Sequence, residues 1–375
     1  MHSIWQHTGF HAAPHLTVIG GGLVGLFTAL HYKRTFPTQR VLVLERGPFP
    51  SGASVKNAGF ACFGSPSELL ADLDREGEMA MLARVHERYQ GLLELRAELG
   101  DATIGFEPTG GHELYRHHDP LYTRVAERFD RLNELLRPLF GRTVFHWDPQ
   151  HLSASGMQGV AHLASTPLEG GLDSGKLMSA LLAKAVGIGI LFRPSAEVVG
   201  FEEGSQAVLI RLASGEEIHS GQVVVATNAW TQQLLPHLDV RPARGQVILT
   251  APVPDLRIKG TFHYKEGYYY FRDLAGGILL GGGRELDIDG ETTAEEGTTP
   301  LIQDALETLL REVILPGTNF RITRRWSGIM GLGPTKVPVV ERVSERVIAA
   351  VRLGGMGVAI GIRVAHRAAR LVEGA

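Results

Sequence analysis

The amino-acid sequence predicts an α/β protein of two domains, one of them built from separate stretches of the chain. A strand–turn–helix–strand pattern lies near the amino terminus, and a strand, a glycine-rich turn and a helix close the chain. The length of 375 residues exceeds what a single hydrophobic core usually holds. We therefore expect the first, middle and last thirds of the chain to share one domain, with the second domain inserted between them.

The amino-terminal pattern is a G-x-G-x-x-G turn formed by Gly20, Gly22 and Gly25. It follows an apolar run at residues 16–19 and opens a helix over about residues 22–34. In a Rossmann-like unit the first glycine allows the tight turn, the second lets the backbone approach a pyrophosphate, and the third lets the helix pack close to the strand. The amino terminus of the helix then offers free N–H groups and a partial positive charge to the phosphates.

A second apolar run, residues 41–44, ends at Glu45, twenty positions after Gly25. A carboxylate at this spacing can accept hydrogen bonds from ribose hydroxyls, and its charge would repel a 2′-phosphate. The pattern therefore favours a dinucleotide without that phosphate. The simpler alternative is a glycine-rich turn in an ordinary α/β protein.

Composition excludes several classes of protein. The formal net charge is only −3, so there is no basic excess of the kind that nucleic acids or anionic membranes attract. The apolar stretch at residues 16–30 is shorter than the roughly 20 residues that a membrane span needs. Residues 1–15 lack the features of a secretory signal, and a single cysteine, Cys62, fits a reducing compartment. We expect a cytoplasmic protein with no integral membrane segment and no nucleic-acid partner.

The sequence indicates no metal site. Histidines cluster near the amino terminus without the compact spacing of metal ligands. These histidines are His2, His7, His11 and His15.

The central part of the chain departs from the strand–helix alternation. Ser65-Pro66-Ser67-Glu68 resembles a capping box that opens one long helix to about Leu99, closed by Gly100. A second long helix is expected from Asp119-Pro120 to the residue before Gly141. A helix capped by Asp173-Ser174 is expected to end at about Ala185. The first two helices belong to an inserted region.

Strands dominate much of the remaining chain, and a continuous apolar run at residues 223–226 is typical of a parallel strand buried on both faces. Further strands are expected at residues 190–192, 196–202, 207–211, 217–220, 222–226, within 246–284, and at 346–351. Further helices are expected at residues 299–313 and 358–372.

Several motifs, spread in order over nearly the whole chain, together resemble the FAD-dependent amine and amino-acid oxidases. This family includes glycine oxidase, sarcosine oxidase and D-amino-acid oxidase or dehydrogenase. The stretches that carry the resemblance are residues 18–25, Glu45-Arg46, 52–59, 223–230, 241–246, Trp326-Ser327-Gly328 and 354–359. The resemblance implies a discontinuous Rossmann-like FAD-binding domain and a substrate domain with a mostly antiparallel sheet and long helices.

The resemblance also implies domain boundaries. The FAD-binding domain would comprise residues 14–75, 165–230 and 326–375, and the substrate domain residues 76–164 and 231–325.

Site residues follow from the same resemblance. Gly20, Gly22 and Gly25 would bind the pyrophosphate, and Glu45 the ribose. Other contacts with a non-covalently bound FAD would come from Gly21, Leu23, Val24, Arg46 beside the adenine, Ala53, Ser54, Asn57, Ala58, Gly59, Val198, Ala226, Thr227, Asn228, Trp230 and Gly328. The amides of Gly355, Met356, Gly357, Val358 and Ala359 would point at the flavin pyrimidine edge, where a helix amino terminus stabilises negative charge.

The chain also departs from the family pattern. Glycine oxidase-like chains carry a carboxylate-binding arginine shortly after the Trp-x-Gly motif, and this chain has Met330 there. A second family arginine is replaced in the stretch 356–358, and the oxygen-activating lysine of sarcosine oxidases aligns with Leu279 or Leu280. Carboxylate recognition has therefore moved, or the substrate is not a simple α-amino acid. The electron acceptor, O2 or a respiratory or other carrier, stays open.

Substrate binding is expected on the strand that contains Tyr268, Tyr270 and Arg272, because alternation puts these three side chains on one face. The guanidinium could bind a carboxylate or sulfonate in bidentate fashion while the phenols orient the substrate. The alternative is an amphipathic strand with outward aromatics and a solvated arginine. Arg284 is a second candidate anion clamp, and His263 is a candidate base or polar lid.

Other single residues carry less weight. Lys56 could supply a missing cation, although a solvated lysine is the simpler reading. Cys62 could attach the flavin covalently, but a small buried apolar role is typical of a lone cysteine. Lys336 is a weak candidate.

The reaction implied is the oxidation of a small amine or amino acid. The neutral amine would donate hydride from its α-carbon to flavin N5, leaving an imine that water hydrolyses, so no strong protein base is required. Two alternatives remain: an FAD-dependent 2-hydroxy-acid or polyol-phosphate dehydrogenase, and a non-catalytic flavin-binding subunit.

Overall fold

The computed structural model describes residues 3–9 and 12–374. The chain forms two compact units. The first comprises Met1–Val55, Gly175–Ala243 and Ile329–Ala375, and the second Lys56–Ser174 and Arg244–Gly328. Residues 56–75 lie in the second unit, where Phe60–Ala61 pairs with Gly170–Gly171.

The strands follow one another along the whole chain. In chain order they are β1 (Leu16–Ile19), β2 (Val41–Leu44), β3 (Phe60–Ala61), β4 (Gly111–Arg116), β5 (His146–Trp147), β6 (Val160–Thr166), β7 (Gly170–Gly171), β8 (Leu191–Arg193), β9 (Val198–Glu203), β10 (Val208–Leu212), β11 (Glu217–Ser220), β12 (Gln222–Val225), β13 (Arg241–Thr250), β14 (Thr261–Tyr264), β15 (Tyr269–Leu274), β16 (Gly277–Gly282), β17 (Ile322–Leu332), β18 (Val339–Arg342) and β19 (Val347–Val351).

The longest helices lie in the second unit. The helices are α1 (Ile4–Gly9), α2 (Leu23–Thr35), α3 (Ala53–Lys56), α4 (Pro66–Glu76), α5 (Glu78–Leu99), α6 (Asp101–Ile104), α7 (Pro120–Phe140), α8 (Pro149–Ser155), α9 (Ser174–Gly187), α10 (Pro300–Leu309) and α11 (Gly357–Glu373). Short turns complete them: 3-10 turns at Asn228–Gln233 and Arg284–Leu286, and a π-helical turn at Leu310–Ile314.

The first unit is organised by a six-stranded sheet in the order β18-β19-β12-β1-β2-β8. All neighbouring pairs are parallel except β18 with β19. Every residue of β1 and β19 is buried, as expected for strands covered on both faces. Helices α2 and α11 pack against each other, and a separate three-stranded sheet, β11-β10-β9, completes the unit.

The second unit contains an eight-stranded sheet in the order β17-β13-β16-β15-β14-β4-β6-β5. The β14–β4 pair is parallel, whereas the other pairs with a defined register are antiparallel. One face of this sheet forms a core with α10 around Phe262, Phe271 and Leu280. The mostly antiparallel sheet and long helices confirm the expected fold class.

Two local expectations about the helices are wrong. The single long helix is divided at Gly77, whose φ of +85° ends α4 and precedes α5. Pro66 does open α4, but no capping box forms: the Ser65 side chain accepts no capping hydrogen bond, and its hydroxyl donates to buried Glu113 at 3.0 Å. Among the described helices, none is both long and apolar enough to cross a membrane.

Candidate functional site

The turn between β1 and α2 is shaped by glycines that no other residue could replace. Gly20 has a φ of +114°, and a Cβ there would lie 2.6 Å from the Ala226 carbonyl oxygen. A Cβ on Gly25 would lie 1.9 Å from the Gly20 oxygen. Because both contacts are with backbone, neither can relax cheaply. The turn and the close packing of helix on strand agree with the geometry of a dinucleotide-binding turn.

The start of α2 is held by a serine from a distant part of the sequence. The Ser54 hydroxyl oxygen accepts a hydrogen bond from the Leu23 amide at 3.0 Å. A Cβ on Gly22 would lie 2.9 Å from that oxygen. The first turn of α3 therefore meets the glycine turn, and a larger residue at position 22 would clash with Ser54.

Glu45 is buried and fastened to the same turn. Its Oε2 accepts a hydrogen bond from the Gly21 amide, and its Oε1 accepts one from the Gly47 amide, both at 3.0 Å. A carboxylate has about four acceptor positions, so these bonds leave capacity for two ribose hydroxyls. The bonds also fix the carboxylate at the end of β2.

Arg46 and Trp230 lie against each other in the first unit. The guanidinium carbon of Arg46 stands 3.8 Å from the centroid of the Trp230 ring, which is the geometry of a cation–π contact. A Cβ on Gly52 would lie 3.9 Å from the same ring. Three residues predicted from separate motifs are thus neighbours.

The turn after β12 is tied to the end of β19. Asn228 has a φ of +46°, and its side-chain oxygen accepts a hydrogen bond from the Arg352 amide at 3.2 Å. A Cβ on Gly331 would lie 2.6 Å from the same oxygen. Thr227 lies 3.3 Å from Thr231, hydroxyl to hydroxyl. In this structure Asn228 therefore supports the turn through backbone contacts.

The closing glycine turn precedes α11 as expected. Gly354 and Gly355 have φ values of +59° and +82°, and the helix begins at Gly357 with Met356 as its cap residue. A Cβ on Gly355 would lie 3.2 Å from the Met330 sulfur. Met330, which stands where the family pattern has an arginine, therefore packs on this turn.

These features of the first unit share one edge of its sheet. Strands β1, β12 and β19 run parallel and end at Ile19, Val225 and Val351, so the three turns that follow them lie at the same carboxyl edge. A Cβ on Gly361 would lie 3.5 Å from the Leu23 Cβ, so the early turns of α2 and α11 touch. Ligands of open α/β sheets bind at this edge. The glycine turns before α2 and α11, together with the amino termini of these two helices, fit a dinucleotide.

The remaining predicted contacts of the first unit have ordinary positions. Leu23, Val24, Val358 and Ala359 are buried near the starts of their helices. Val198 begins β9 and pairs with Leu212 in the three-stranded sheet.

In the second unit, the loop after α3 is held by hydrogen bonds from Ser174 and from Arg272 of the eight-stranded sheet. Asn57 accepts a hydrogen bond from the Gly59 amide at 2.8 Å and from the Ser174 hydroxyl at 2.6 Å. Arg272 donates from Nη1 to the carbonyl oxygens of Gly59 and Leu172, at 3.0 and 2.9 Å. The buried guanidinium thus binds backbone oxygens on two segments, and burial lowers its pKa.

The other loop residues of this unit pack together. Lys56, for which the sequence favours a solvated side chain over a cation at the site, pairs with Glu296. Trp326 Nε1 donates to the Lys56 carbonyl oxygen at 3.0 Å, and a Cβ on Gly328 would lie 3.0 Å from the Lys56 Cβ. Ala58 is half-buried in the same loop.

Strand β15 alternates as its sequence predicts. Tyr269 and Phe271 belong to the hydrophobic core on one face of the sheet. Tyr270 and Arg272 point to the other face. Burial raises the pKa of Tyr270 to about 12, so its phenol stays protonated at neutral pH. Tyr268, just before the strand, is 39% exposed.

His263 sits beside Tyr270 in the neighbouring strand, and neither of its ring nitrogens has a hydrogen-bond partner among the described residues. Its ring faces Phe60 at a centroid distance of 5.2 Å, and Phe60 also faces Tyr270 at 5.9 Å. Burial lowers the pKa of His263 to about 4, so the ring is neutral. A Cβ on Gly281 would lie 2.5 Å from the Tyr270 ring, which therefore lies over bare backbone. The sequence alone did not single out Phe60, because a two-residue strand carries little pattern.

Arg284 differs from Arg272 in having a free guanidinium. It opens a 3-10 turn after Gly283, whose φ is +79° and whose amide donates to the Tyr268 carbonyl oxygen at 3.0 Å. Arg284 is half-buried, and within the described part of the chain its side chain has no acceptor or carboxylate partner. Arg284 and Tyr268 are therefore neighbours at one end of the sheet.

Cys62 has the structural role that the sequence favours. Its side chain is 4% exposed, and burial, together with the nearby Glu169, raises the pKa of its thiol well above the usual range. The thiol is therefore neutral and packed in the second unit.

Of the amino-terminal histidines, His2 and His11 lie outside the described residues, and the side chain of His7 is also outside them. His15 accepts a hydrogen bond from the Arg40 amide at 3.0 Å. A different group, His112, Asp148 and His151, brings donor atoms within 4.8 Å of one another in the second unit. Sequence spacing did not reveal this group, since its members come from separate elements.

The parallel sheet, its glycine turns and the acid after β2 define a dinucleotide-binding protein. A model of the FAD dependent oxidoreductase family matches residues 15–371. The chain belongs to that family, which confirms the resemblance found in its sequence, and FAD is its cofactor.

Solved structures with the same fold extend over nearly the whole chain. L-proline dehydrogenase from P. horikoshii is 20% identical and superposes with a TM-score of 0.75, covering 97% of this chain and 94% of that one. Iminodiacetate oxidase from a Chelativorans species is 19% identical, with a TM-score of 0.77 and coverage of 96% and 95%. Glycine oxidase from Geobacillus kaustophilus is 22% identical, with a TM-score of 0.72 and coverage of 96% and 95%. None of the curated proteins matches the sequence.

Proposed function

We propose that this flavoenzyme oxidises the CH–NH group of a small amine or amino acid that carries an acidic group. The observation that carries the proposal is His263, whose two buried ring nitrogens lack partners among the described residues. A buried polar group left unpaired is costly and calls for a partner, and a bound polar substrate would supply one. The names of the similar structures, a proline dehydrogenase, an iminodiacetate oxidase and a glycine oxidase, support an amine as that substrate.

The cofactor fits the carboxyl edge of the first unit. The proposed contacts are the amides at Gly20–Leu23 for the pyrophosphate, Glu45 for the ribose, and the amides at Gly355–Val358 for the pyrimidine edge. When bound, FAD supplies the acceptor for the electron pair that leaves the substrate. We propose that it is held without a covalent bond, because the one thiol of the chain, Cys62, is buried and neutral.

The substrate-facing groups are Tyr270 and His263. The protonated phenol of Tyr270 can donate a hydrogen bond, and the neutral imidazole of His263 can accept one or donate one. Phe60 supplies an apolar wall beside both. Together they would orient a neutral amine, which is the form able to give up the electron pair.

The acidic group of the substrate is assigned to Arg284. Met330 packs against Gly355, so it offers no charge at the position where the family pattern has an arginine. Arg272 is the alternative from the sequence, but its Nη1 and Nε already donate to three backbone oxygens. The Arg284 guanidinium keeps its full set of donors for a carboxylate.

A substrate panel tests the reaction, using the flavin-loaded protein without oxygen. Bleaching of the flavin by amino acids or secondary amines, with release of ammonia or a smaller amine, is expected. Bleaching only by 2-hydroxy acids would replace the proposal with a hydroxy-acid dehydrogenase, and no bleaching by either class would favour a non-catalytic flavin subunit. Reoxidation by O2 or by a quinone then identifies the acceptor.

Arg284→Ala tests the carboxylate contact. Loss of one charged contact made in the complex should raise KM about 100-fold, with flavin content unchanged. Arg311→Ala, an exposed arginine of the same unit, is the control and should leave KM unchanged. A normal KM in Arg284→Ala would return the assignment to Arg272.

The cytoplasm remains the proposed location, because the single cysteine is a free thiol.

A further inference from the structure

A cluster of nitrogen and oxygen donors lies on the face of the second unit's sheet that carries its hydrophobic core. Ser165 pairs with His112 on one side and with His146 on the other, so the three side chains share a face. His112 stacks on Phe262 of that core, at a centroid distance of 4.7 Å. Glu113, His263 and Tyr270 point to the opposite face, so the cluster is separate from the proposed substrate groups.

Helix α8 adds two further donors to this face. Asp148 caps α8, and its Oδ1 accepts the His151 amide at 3.0 Å. The ring of His151 lies 4.2 Å from that of His112, centroid to centroid. One ligand atom from each of His112, Asp148 and His151 lies within 4.8 Å of the other two.

We propose that His112, Asp148 and His151 bind a divalent transition-metal ion, with zinc as the best match. Imidazole nitrogen and carboxylate oxygen are the donors that zinc takes in proteins, whereas calcium and magnesium prefer oxygen alone. Tetrahedral bonds of about 2.0–2.1 Å place donor atoms roughly 3.3 Å apart. Asp148 and His151 are only half-buried, so they can close over an entering ion by small rotations of their side chains.

The surroundings of the ligands favour binding. The Ser165 hydroxyl lies 2.7 Å from Nδ1 of His112 and fixes the orientation of that ring. The helix cap uses only one oxygen of Asp148, and the other lies 3.7 Å from Nε2 of His146. A hydrogen bond such as the one between Ser165 and His112 orients a metal ligand and raises affinity. The ion would fasten α8 to strand β4, a role that does not depend on the proposed function.

Calorimetric titration with zinc chloride tests the site, using flavin-loaded full-length protein freed of metal by a chelator. One equivalent of zinc should bind and raise Tm. His151→Asn should raise the Kd for zinc about 100-fold or more, since even the loss of an outer-shell partner costs 10- to 100-fold. Asp148→Asn should weaken binding by at least about 10-fold while keeping the helix cap, because asparagine caps as well as aspartate.

The control is His117→Asn, an exposed histidine of the same unit, which should bind zinc as the unchanged chain does. Flavin absorbance reports that each variant is folded. Absence of saturable binding to the unchanged chain, or unchanged affinity in His151→Asn, would overturn the proposal. So would loss of binding in His146→Asn alone, because this would indicate a surface pair of His146 and Asp148.

Discussion

The two units present their candidate sites with different parts of the chain. In the first unit, the carboxyl edge of the sheet is lined by backbone, and a Cβ added at Gly20 or Gly25 would meet a backbone oxygen at 2.6 Å or less. In the second unit, the candidate site is made of side chains on one face of a mostly antiparallel sheet, with Tyr270 and His263 in adjacent strands and Phe60 beside both. A site made of backbone atoms tolerates almost no substitution at its glycines. In a site made of side chains, single substitutions can change the ligand that is bound. The first suits a constant cofactor, and the second a variable substrate.

Gly25→Ala should break the first unit's site most severely. The added Cβ would lie 1.9 Å from the Gly20 oxygen, so the turn must move, and its amides would no longer be placed for the pyrophosphate. We expect a cost on the order of 3 kcal/mol in the free energy of unfolding and loss of bound FAD. Absorbance of the purified protein and a denaturant titration measure both.

Gly187→Ala is the matched control for that change. Gly187 ends α9 in the same unit, and nothing lies within 4 Å of its added Cβ. It should retain FAD and stability. A fully yellow, stable Gly25→Ala protein would show that the close approach is not needed for the cofactor.

This contrast also explains what the sequence could predict. The turn, the acid and the parallel strands were readable, because glycine spacing and apolar runs report directly on backbone geometry. The break at Gly77 was missed, because the residues on both sides favour a helix. The sequence also could not predict that Arg272 binds backbone oxygens. Its partners, Gly59 and Leu172, are distant in sequence and contribute only carbonyl oxygens. The proposed zinc ligands come together only because β4 and β5 both pair with β6. These pairings bring His112 close to Asp148 and His151.

Arg272→Met tests whether Arg272 stabilises the second unit or is free to bind substrate. The buried guanidinium donates to the carbonyl oxygens of Gly59 and Leu172, and its removal leaves both without that donor. We expect a loss of about 3 kcal/mol in the free energy of unfolding, the magnitude for hydrogen bonds from a charged group. Arg131→Met, at an exposed arginine, should change stability by less than about 0.5 kcal/mol. If Arg272→Met is as stable as the parent chain, Arg272 is free for substrate after all.

His263 makes the stability of the second unit depend on pH. Burial lowers its folded-state pKa to about 4, below the ordinary value of 6.5, so only the unfolded chain takes up the proton between these values. Stability should therefore rise with pH from about 4 to 6.5 and fall as the solution is acidified. Glu169 has the opposite sign, since burial raises its pKa to about 8, so the variant must be compared with the parent at each pH.

The comparison uses His263→Phe and denaturant midpoints at pH 5 and pH 7. The parent chain should lose roughly 2 kcal/mol more than the variant on going to pH 5. Equal losses in both proteins would mean that the imidazole is not buried in the neutral form.

Cys62→Ala should have the smallest effect. Removing one buried sulfur should cost about 1 kcal/mol and leave FAD content unchanged. Denaturing the parent chain should release all of its FAD into solution. Flavin that stays with the denatured parent but not with the variant would indicate a covalent bond at Cys62.

The central claim is that two turns of the first unit, after β1 and β19, jointly bind FAD through main-chain amides. A crystal structure of the chain with FAD tests it most directly. The account predicts pyrophosphate oxygens within hydrogen-bond distance of amides at Gly20–Leu23, and the pyrimidine edge facing the amides that open α11. An FAD molecule bound away from the carboxyl edge of this sheet would contradict it.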